Sequence, residues 1–506
     1  MRSEWLKLKS GSDIRGEAIA HDGVEVQMTA ELVCTVSYVF ACRLAEKLGK
    51  TPAELTIAVG RDSRLSGPEL VSAAIEGLTS ADCDVLDCGL CTTPAMFMTT
   101  VYEETACDGA VMITASHLPW TRNGIKFMTR EGGLSGEEVE NILRTAQTTN
   151  VPNRLVKKVD ILSMYSRQLK DMVRKGLDTD VALPLLGLHV VVDAGNGSGG
   201  FYEKLLRELG ANTVGSQFLE PDGRFPNHIP NPEVPEAMEA VSSAVKACGA
   251  DMGVIFDTDC DRAAIVDGSG KEINRNRLIA LIAAILLEEH PGATFVTDSV
   301  TSSGLNRFIS EWGGVHYRFK RGYRNVIDEA VRLNAEGIDC PLAIETSGHA
   351  ALRENYFLDD GMYLVTRLVI EAMKCKRNGK TLSSLIDELR EPVESTEVRL
   401  GIRAEDFRTA GQAVIDSVLA HTLEDRTWHL APDNREGVRI SFDLADGIDN
   451  AWFLLRLSLH DPVLPLNAES DVPGGVHAVL KKLYEVIKDS NDIDLTPLTR
   501  ALKSEQ

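Results

Sequence analysis

Met252-Gly-Val-Ile-Phe-Asp257-Thr-Asp259-Cys-Asp261-Arg262 is an apolar run that ends in three alternating carboxylates. Nonpolar residues in a short block closed by a polar turn predict a buried strand, which places the carboxylates at its end. The pattern recurs along the chain. Leu55–Val59 runs into Gly60-Arg-Asp-Ser-Arg64, with a helical period over Pro68–Leu78. Asp108–Thr114 runs into Ala115-Ser116-His117, and His189–Asp193 and Ala293–Thr297 continue the series. Strands alternating with helices predict α/β units with mostly parallel pairing and chemistry on the loops at the strands' carboxyl ends.

A chain of 506 residues is long enough for three or four such units, at about 150 residues each. The polar stretch Thr145–Pro152, the turn Asp267-Gly-Ser-Gly270 before the apolar helix Arg277–Glu289, and Glu391-Pro-Val-Glu394 mark the breaks. They divide the chain into 1–155, 156–266, 267–392 and 393–506. The last segment has scattered short strands and fewer glycines, so a different fold is expected there. Its polar tail, Leu495–Gln506, is expected to fray in part.

Lys and Arg total 53 against 75 Asp and Glu, a net charge of −22 that repels nucleic acid and anionic membrane. The longest apolar run, Leu278–Leu287, is too short to span a bilayer, and Met1–Ser10 lacks the apolar core of a signal peptide. The ten cysteines do not repeat as a zinc ribbon would, since Cys83, Cys88 and Cys91 have no downstream counterpart. Free thiols in a reducing compartment fit them better, and a cytoplasmic protein is expected.

Four groups carry candidate chemistry. Ser116, directly after a strand, with His117 beside it and Lys126 ten residues on, is either a nucleophile with helpers or a turn-capping serine; G-x-S-x-G is absent. Asp257, Asp259 and Asp261 can converge on one hard cation, Mg²⁺, Mn²⁺ or Ca²⁺. They do not form an EF-hand, whose sixth and twelfth positions here hold Arg262 and Gly268. Ile344-Glu345-Thr-Ser347-Gly348-His349 offers donors and acceptors for sugar hydroxyls, and serves equally well as a structural turn. Arg-containing loops at Ser10–Gly16, Gly60–Arg64 and Lys320–Arg324 suit anions or serve simply as solvated loops, and Asn434–Arg439 and Arg456–Pro462 are two more anion-binding candidates. Gly195-Asn-Gly197-Ser-Gly-Gly200, after a strand and with Glu220 beyond it, also satisfies the dinucleotide fingerprint. A nicotinamide enzyme is therefore a rival reading, but one that leaves Ser116 and the Asp triplet without a role.

In this order the segments resemble the α-D-phosphohexomutase superfamily over nearly the whole chain. Its serine loop, T-x-S-H-x-P then N-G-x-K, is matched by Thr114, Ser116, His117, Pro119, Asn123, Gly124 and Lys126. Its metal loop is matched by Asp257, Asp259, Asp261 and Arg262, and its sugar loop by Glu345, Ser347, Gly348 and His349, with Ile344 in place of a Gly. Asp193-Ala-Gly-Asn196-Gly197 and Pro221–Pro232 look like further family signatures, which gives the glycine run a non-nucleotide explanation.

The resemblance implies three related α/β domains and a smaller α+β C-terminal domain around a central cleft. It implies a serine loop in 1–155, the Asp metal loop at the end of 156–266, the sugar loop in 267–392 and phosphate binding in 393–506. Ser116 would carry a phosphoryl group, and Mg²⁺ would be held by Ser116, Asp257, Asp259 and Asp261. Lys126, then His117, would help with protons alongside Arg15. Arg262, Lys320, Glu345, Ser347 and His349 would bind substrate, and Arg456, Ser458 and His460 its phosphate. That last loop departs from the family, with Pro465 where an Arg is usual. The expected partners are small sugar phosphates, with glucose 1,6-bisphosphate or an equivalent as activator, and the expected activity interconverts hexose 1- and 6-phosphates of glucose or mannose. The nearest branch is phosphomannomutase/phosphoglucomutase. The alternatives are phosphoglucosamine mutase and a non-catalytic sugar-phosphate-binding relative.

Overall fold

The computed structural model describes residues 4–145, 154–445, 447–458 and 461–504. Among the candidate residues, His460 lies outside them, as does most of the Thr145–Pro152 break. The chain forms two compact units, one of residues up to 278 with 347–385, the other of 279–346 with residues from 386 onward.

In the first unit, strand Thr56–Arg61 lies between parallel neighbours Asp84–Leu90 and Gly109–Ile113, with Val156–Lys158 beyond Asp84–Leu90. Arg122–Thr129 and Asp13–Glu17 then add to the sheet in antiparallel fashion. The sheet is therefore mixed, where mostly parallel pairing was expected. The reason is loop length: residues 114–121 connect Gly109–Ile113 to Arg122–Thr129, and a parallel return needs a crossover of a dozen or more residues. Helices Ala30–Leu48 and Gly67–Ser80 pack together on this sheet's core. A Cβ on Gly77 would sit 2.0 Å from the Cys34 carbonyl oxygen, so only glycine allows that approach. Phe40 stacks on Phe127 with centroids 4.6 Å apart, a contact of about 1 kcal/mol beyond burial.

A second sheet pairs Val190–Asp193 in parallel with Met252–Phe256, which turns back antiparallel as Ala263–Asp267. The Asp triplet occupies the hairpin loop, between the paired residues Phe256 and Ala263. Asp267-Gly-Ser-Gly270 is a further turn, leading into Glu272–Ile273, so this sheet runs past residue 266. The helix Gly361–Arg377 is also part of the first unit.

In the second unit, Thr294–Asp298 pairs in parallel with Val315–Phe319 and Leu342–Ile344. The C-terminal part is an antiparallel sheet in the order His429–Leu430, Val438–Phe442, Ala451–Leu455, Val463–Ser470, Glu394–Ile402, Ile493–Asp494. Helices Phe407–Glu424 and Gly475–Ile487 share its core. The tail does not fray throughout: Thr496–Ser504 is a helix, anchored by the fully buried Leu498.

All ten cysteines are unbonded. Cys88 and Cys91 stand in a C-x-x-C spacing, but both are buried and burial raises both thiols, so neither resembles a reactive thiolate. No helix among the described residues is long and apolar enough to cross a membrane.

Candidate active site

Two hairpin loops of the first unit meet. Ser116 begins the turn after Gly109–Ile113 and sits in the left-handed region, φ 51°, with its N–H donating to Thr114 Oγ1 at 2.9 Å. Its hydroxyl donates to Asp257 Oδ2 at 2.7 Å. His117 Nδ1 lies 3.2 Å from the same hydroxyl. In the Asp loop, Cys260 takes φ 67°, and Arg262 donates through its backbone N–H and Nε to Asp257 at 3.2 and 3.3 Å. Non-glycine residues with positive φ persist only where their surroundings hold them, and both loops place one at the Ser116–Asp257 contact or within three residues of it.

The three carboxylates are buried, and one oxygen from each lies within 4.8 Å of the others. Asp259 Oδ1 and Asp261 Oδ1 are buried with no hydrogen-bond partner, which suits a hard, oxygen-binding dication. Burial, then Asp261 and Asp259, pushes the Asp257 carboxyl well above its usual range. Burial also opposes ionisation of Asp261, but Lys126, His349 and Arg262 outweigh it and hold that carboxyl low. Lys126, on strand Arg122–Thr129, reaches Asp261 Oδ2 at 2.5 Å and Asp259 Oδ2 at 3.3 Å. Burial, with Arg262 and Arg15, pushes His117 far down, so its ring is neutral. Arg15 is itself held by Asp13 at 2.6 Å.

His349 Nδ1 lies 2.6 Å from Asp359 and 3.9 Å from Asp261. Burial works against its charge, but Asp359 and Asp261 raise it to about 9. Ser347 Oγ is buried without a hydrogen-bond partner. The first unit thus brings together Ser116, His117, Lys126, Arg15, the Asp triplet, Arg262 and His349.

Glu345, Lys320, Arg456 and Ser458 belong to the second unit, so the motif 344–349 is divided between the two. Glu345 accepts the Gly322 N–H at 2.6 Å, and Thr346 Oγ1 donates to Asp298 at 2.7 Å. Lys320 is exposed. Arg456 is buried, and its Nε has no hydrogen-bond partner. Ser458 Oγ accepts the Asp461 N–H at 3.3 Å.

Supporting residues escaped the sequence reading. Thr93 Oγ1 donates to Asp259 at 2.5 Å, and Glu233 pairs with Arg262 at 3.2 Å. Nothing in the local sequence around Thr93 points to a loop 166 residues away, whereas Glu233 directly follows the Pro221–Pro232 signature. The loop Gly60–Arg64, grouped above with anion-binding candidates, is different: Arg64 is fully buried and occupied by protein groups. The glycine run at 195–200 has a packing role. A Cβ on Gly197 would lie 2.7 Å from the Thr258 carbonyl oxygen, so the run backs the Asp loop directly.

The α/β/α domains I, II and III of the phosphoglucomutase/phosphomannomutase family match residues 7–152, 165–270 and 274–393. The chain belongs to the phosphoglucomutase/phosphomannomutase family. It is a phosphohexomutase, an isomerase of carbohydrate metabolism. It is 33% identical over 447 residues to a phosphomannomutase/phosphoglucomutase of Pseudomonas syringae, covering 85% of this chain and 88% of that protein. It is 32% identical over 450 residues to a phosphoglucomutase of Neisseria gonorrhoeae, covering 87% of this chain and 90% of the relative. A solved phosphoglucomutase/phosphomannomutase family protein from Burkholderia thailandensis shares 27% identity and a TM-score of 0.78, over 96% of this chain and 98% of that one. Three α/β domains followed by a β-rich C-terminal domain are thus the architecture of this phosphohexomutase.

Proposed function

We propose that this phosphohexomutase interconverts the 1- and 6-phosphates of glucose and mannose through a phosphoserine at Ser116 and a bound 1,6-bisphosphate. The observation that carries the reading is Ser116 Oγ at 2.7 Å from Asp257, inside a buried carboxylate triplet. The names of the Pseudomonas and Neisseria relatives support the two sugars. Residues 1–155, 156–266, 267–392 and 393–506 then divide the work as serine, metal, sugar and phosphate segments.

The phosphoserine Oγ–P bond breaks as a new O–P bond forms to the free hydroxyl of a hexose monophosphate, whose proton leaves to a nearby base. Reversal, after the bisphosphate exchanges ends, returns the other phosphoryl group to Ser116. Mg²⁺ held by Asp257, Asp259, Asp261 and the serine phosphate would supply charge neutralisation at the transferring group. Lys126 and His117 exchange protons near Ser116 Oγ, with neutral His117 already within 3.2 Å of it. Arg15 and Arg262 add positive charge beside the phosphoryl oxygens. Glu345, Ser347 and His349 bind sugar hydroxyls, Lys320 steadies the substrate, and Arg456, Ser458 and His460 hold its distal phosphate. Glucose 1,6-bisphosphate, as activator, would charge an unphosphorylated Ser116. The partners are small sugar phosphates, since the charge of −22 disfavours nucleic acid and membranes, and ten unbonded cysteines support a cytoplasmic setting.

Coupled assays on glucose 1-phosphate, mannose 1-phosphate and glucosamine 1-phosphate test this, with Mg²⁺, trace bisphosphate and Ser116→Ala in parallel. Turnover of the first two that vanishes in Ser116→Ala is expected. A preference for glucosamine 1-phosphate would overturn the substrate assignment, and full activity of Ser116→Ala would overturn the mechanism.

A further inference from the structure

Arg64 spends four of its five side-chain donors on the loop that carries Ser116. Its Nη1 donates to the carbonyl oxygens of Pro119 and Arg122, each at 2.8 Å. Its Nη2 donates to those of Ser116 and of Leu118, the latter at 2.6 Å. Nε donates to Asp62 Oδ2 at 3.2 Å. A guanidinium has five N–H donors, so none remains for a phosphate. Asp62 extends the network, accepting the Arg64 backbone N–H at 2.9 Å and the Thr114 hydroxyl at 2.7 Å. Thr114 Oγ1 in turn accepts the Ser116 N–H.

Arg64 is fully shielded from solvent. Phe225 contributes to the shield, with its ring centroid 5.3 Å from the guanidinium carbon. Gly223, in the same turn, lies so close that a Cβ would meet the Ser63 carbonyl oxygen at 2.5 Å.

We propose that Arg64 is a positioning residue for phosphoryl transfer: it fixes the carbonyls of residues 116–122 so that Ser116 keeps its left-handed backbone and aims Oγ at Asp257. The inference rests on the reading of Ser116 as the phosphorylated serine. A carbonyl-rich hairpin loop repels itself at close quarters, and one saturated guanidinium holds four of its oxygens in a fixed fan. Lysine cannot replace it, because a single ammonium has three donors at one point and no planar fork. Phe225, by excluding water from the fan, keeps those hydrogen bonds strong.

The test measures Arg64→Lys, Phe225→Leu and Ser116→Ala by steady-state kinetics and by hydrogen exchange of the 114–122 peptide. For Arg64→Lys, kcat should fall about 100-fold, as expected for a nucleophile displaced by about 1 Å, with KM within twofold of wild type. Exchange should quicken in that peptide and stay unchanged in the C-terminal sheet. Phe225→Leu should show the same split with a smaller kcat loss, and it decides the matter if Arg64→Lys does not fold. Wild-type kcat and wild-type loop exchange in the folded variant would overturn the proposal, as would a loss confined to KM. If Ser116→Ala keeps full turnover, the reading of Ser116 fails instead, so the two failures are separable.

Discussion

Lys126 Nζ lies 2.5 Å from Asp261 Oδ2 and 3.3 Å from Asp259 Oδ2, so one ammonium shares its carboxylates with any cation the triplet holds. Burial opposes ionisation of Asp261, and Lys126 is foremost among the charges that nonetheless hold that carboxyl low.

Lys126→Met should therefore separate two functions. Turnover should fall about 10²- to 10⁴-fold, the usual worth of a positioned proton-transfer group. Mg²⁺ affinity should stay the same or rise, because a competing positive charge is gone. Kinetics and isothermal titration with Mg²⁺ check both; loss of Mg²⁺ binding with unchanged kcat would contradict the assignment.

Asp259→Asn should remove one of three mutually repelling buried carboxylates. Without divalent cation, its Tm should equal or exceed that of wild type, since like charges at close range disfavour ionisation. With Mg²⁺, wild type should gain Tm by mass action while the variant gains much less, and turnover should be lost. Thermal melts with EDTA and with Mg²⁺ measure this.

His228 offers a pH-dependent prediction away from the triplet. Its Nε2 lies 3.1 Å from both Asp193 oxygens; burial opposes its charge, but the hydrogen bond and charge of Asp193 raise its pKa above the usual 6.5. A raised folded-state pKa gives stability that is complete below pH 6.5 and is lost as pH rises through the folded value. Asp193 keeps its bonds from the Gly195 N–H and Gln217 Nε2, so His228→Gln should cost about 1.5 kcal/mol near pH 5.5, the worth of one hydrogen bond to a charged group, and progressively less above neutrality. Denaturation series at several pH values decide it, and a penalty that grows with pH would contradict the pairing.

Much of this site is legible in the chain itself. Apolar blocks ending in polar turns announce Ser116 and the Asp triplet, because loops at strand ends collect chemistry. Their meeting is not legible, since it depends on hairpins whose loop lengths override the parallel expectation. The role of Gly197 was equally hidden. A dinucleotide-like glycine pattern and a glycine that must clear the Thr258 carbonyl read alike in sequence. Arg64 looks basic and solvated in Gly60-Arg-Asp-Ser-Arg64, and only the fold shows that its charge is fully enclosed. The division of 344–349 between two compact units likewise comes from packing over long separations.

Arg456→Ala should raise KM for hexose phosphates about 10- to 100-fold while leaving kcat within a few-fold. The expectation follows from losing one charge-assisted hydrogen bond, worth about 1.5–3 kcal/mol. The buried Nε without a protein partner is the group assigned to the distal phosphate. An unchanged KM would move phosphate recognition elsewhere.

The most direct test of the central claim is a single-turnover phosphoryl transfer followed by intact-protein mass and peptide mapping. Protein treated with glucose 1,6-bisphosphate and Mg²⁺ should gain one phosphoryl group, located on Ser116. Adding glucose 6-phosphate should discharge it as bisphosphate, and Ser116→Ala should take up none. A phosphoryl group on another residue, or turnover with no phosphoprotein formed, would contradict the account.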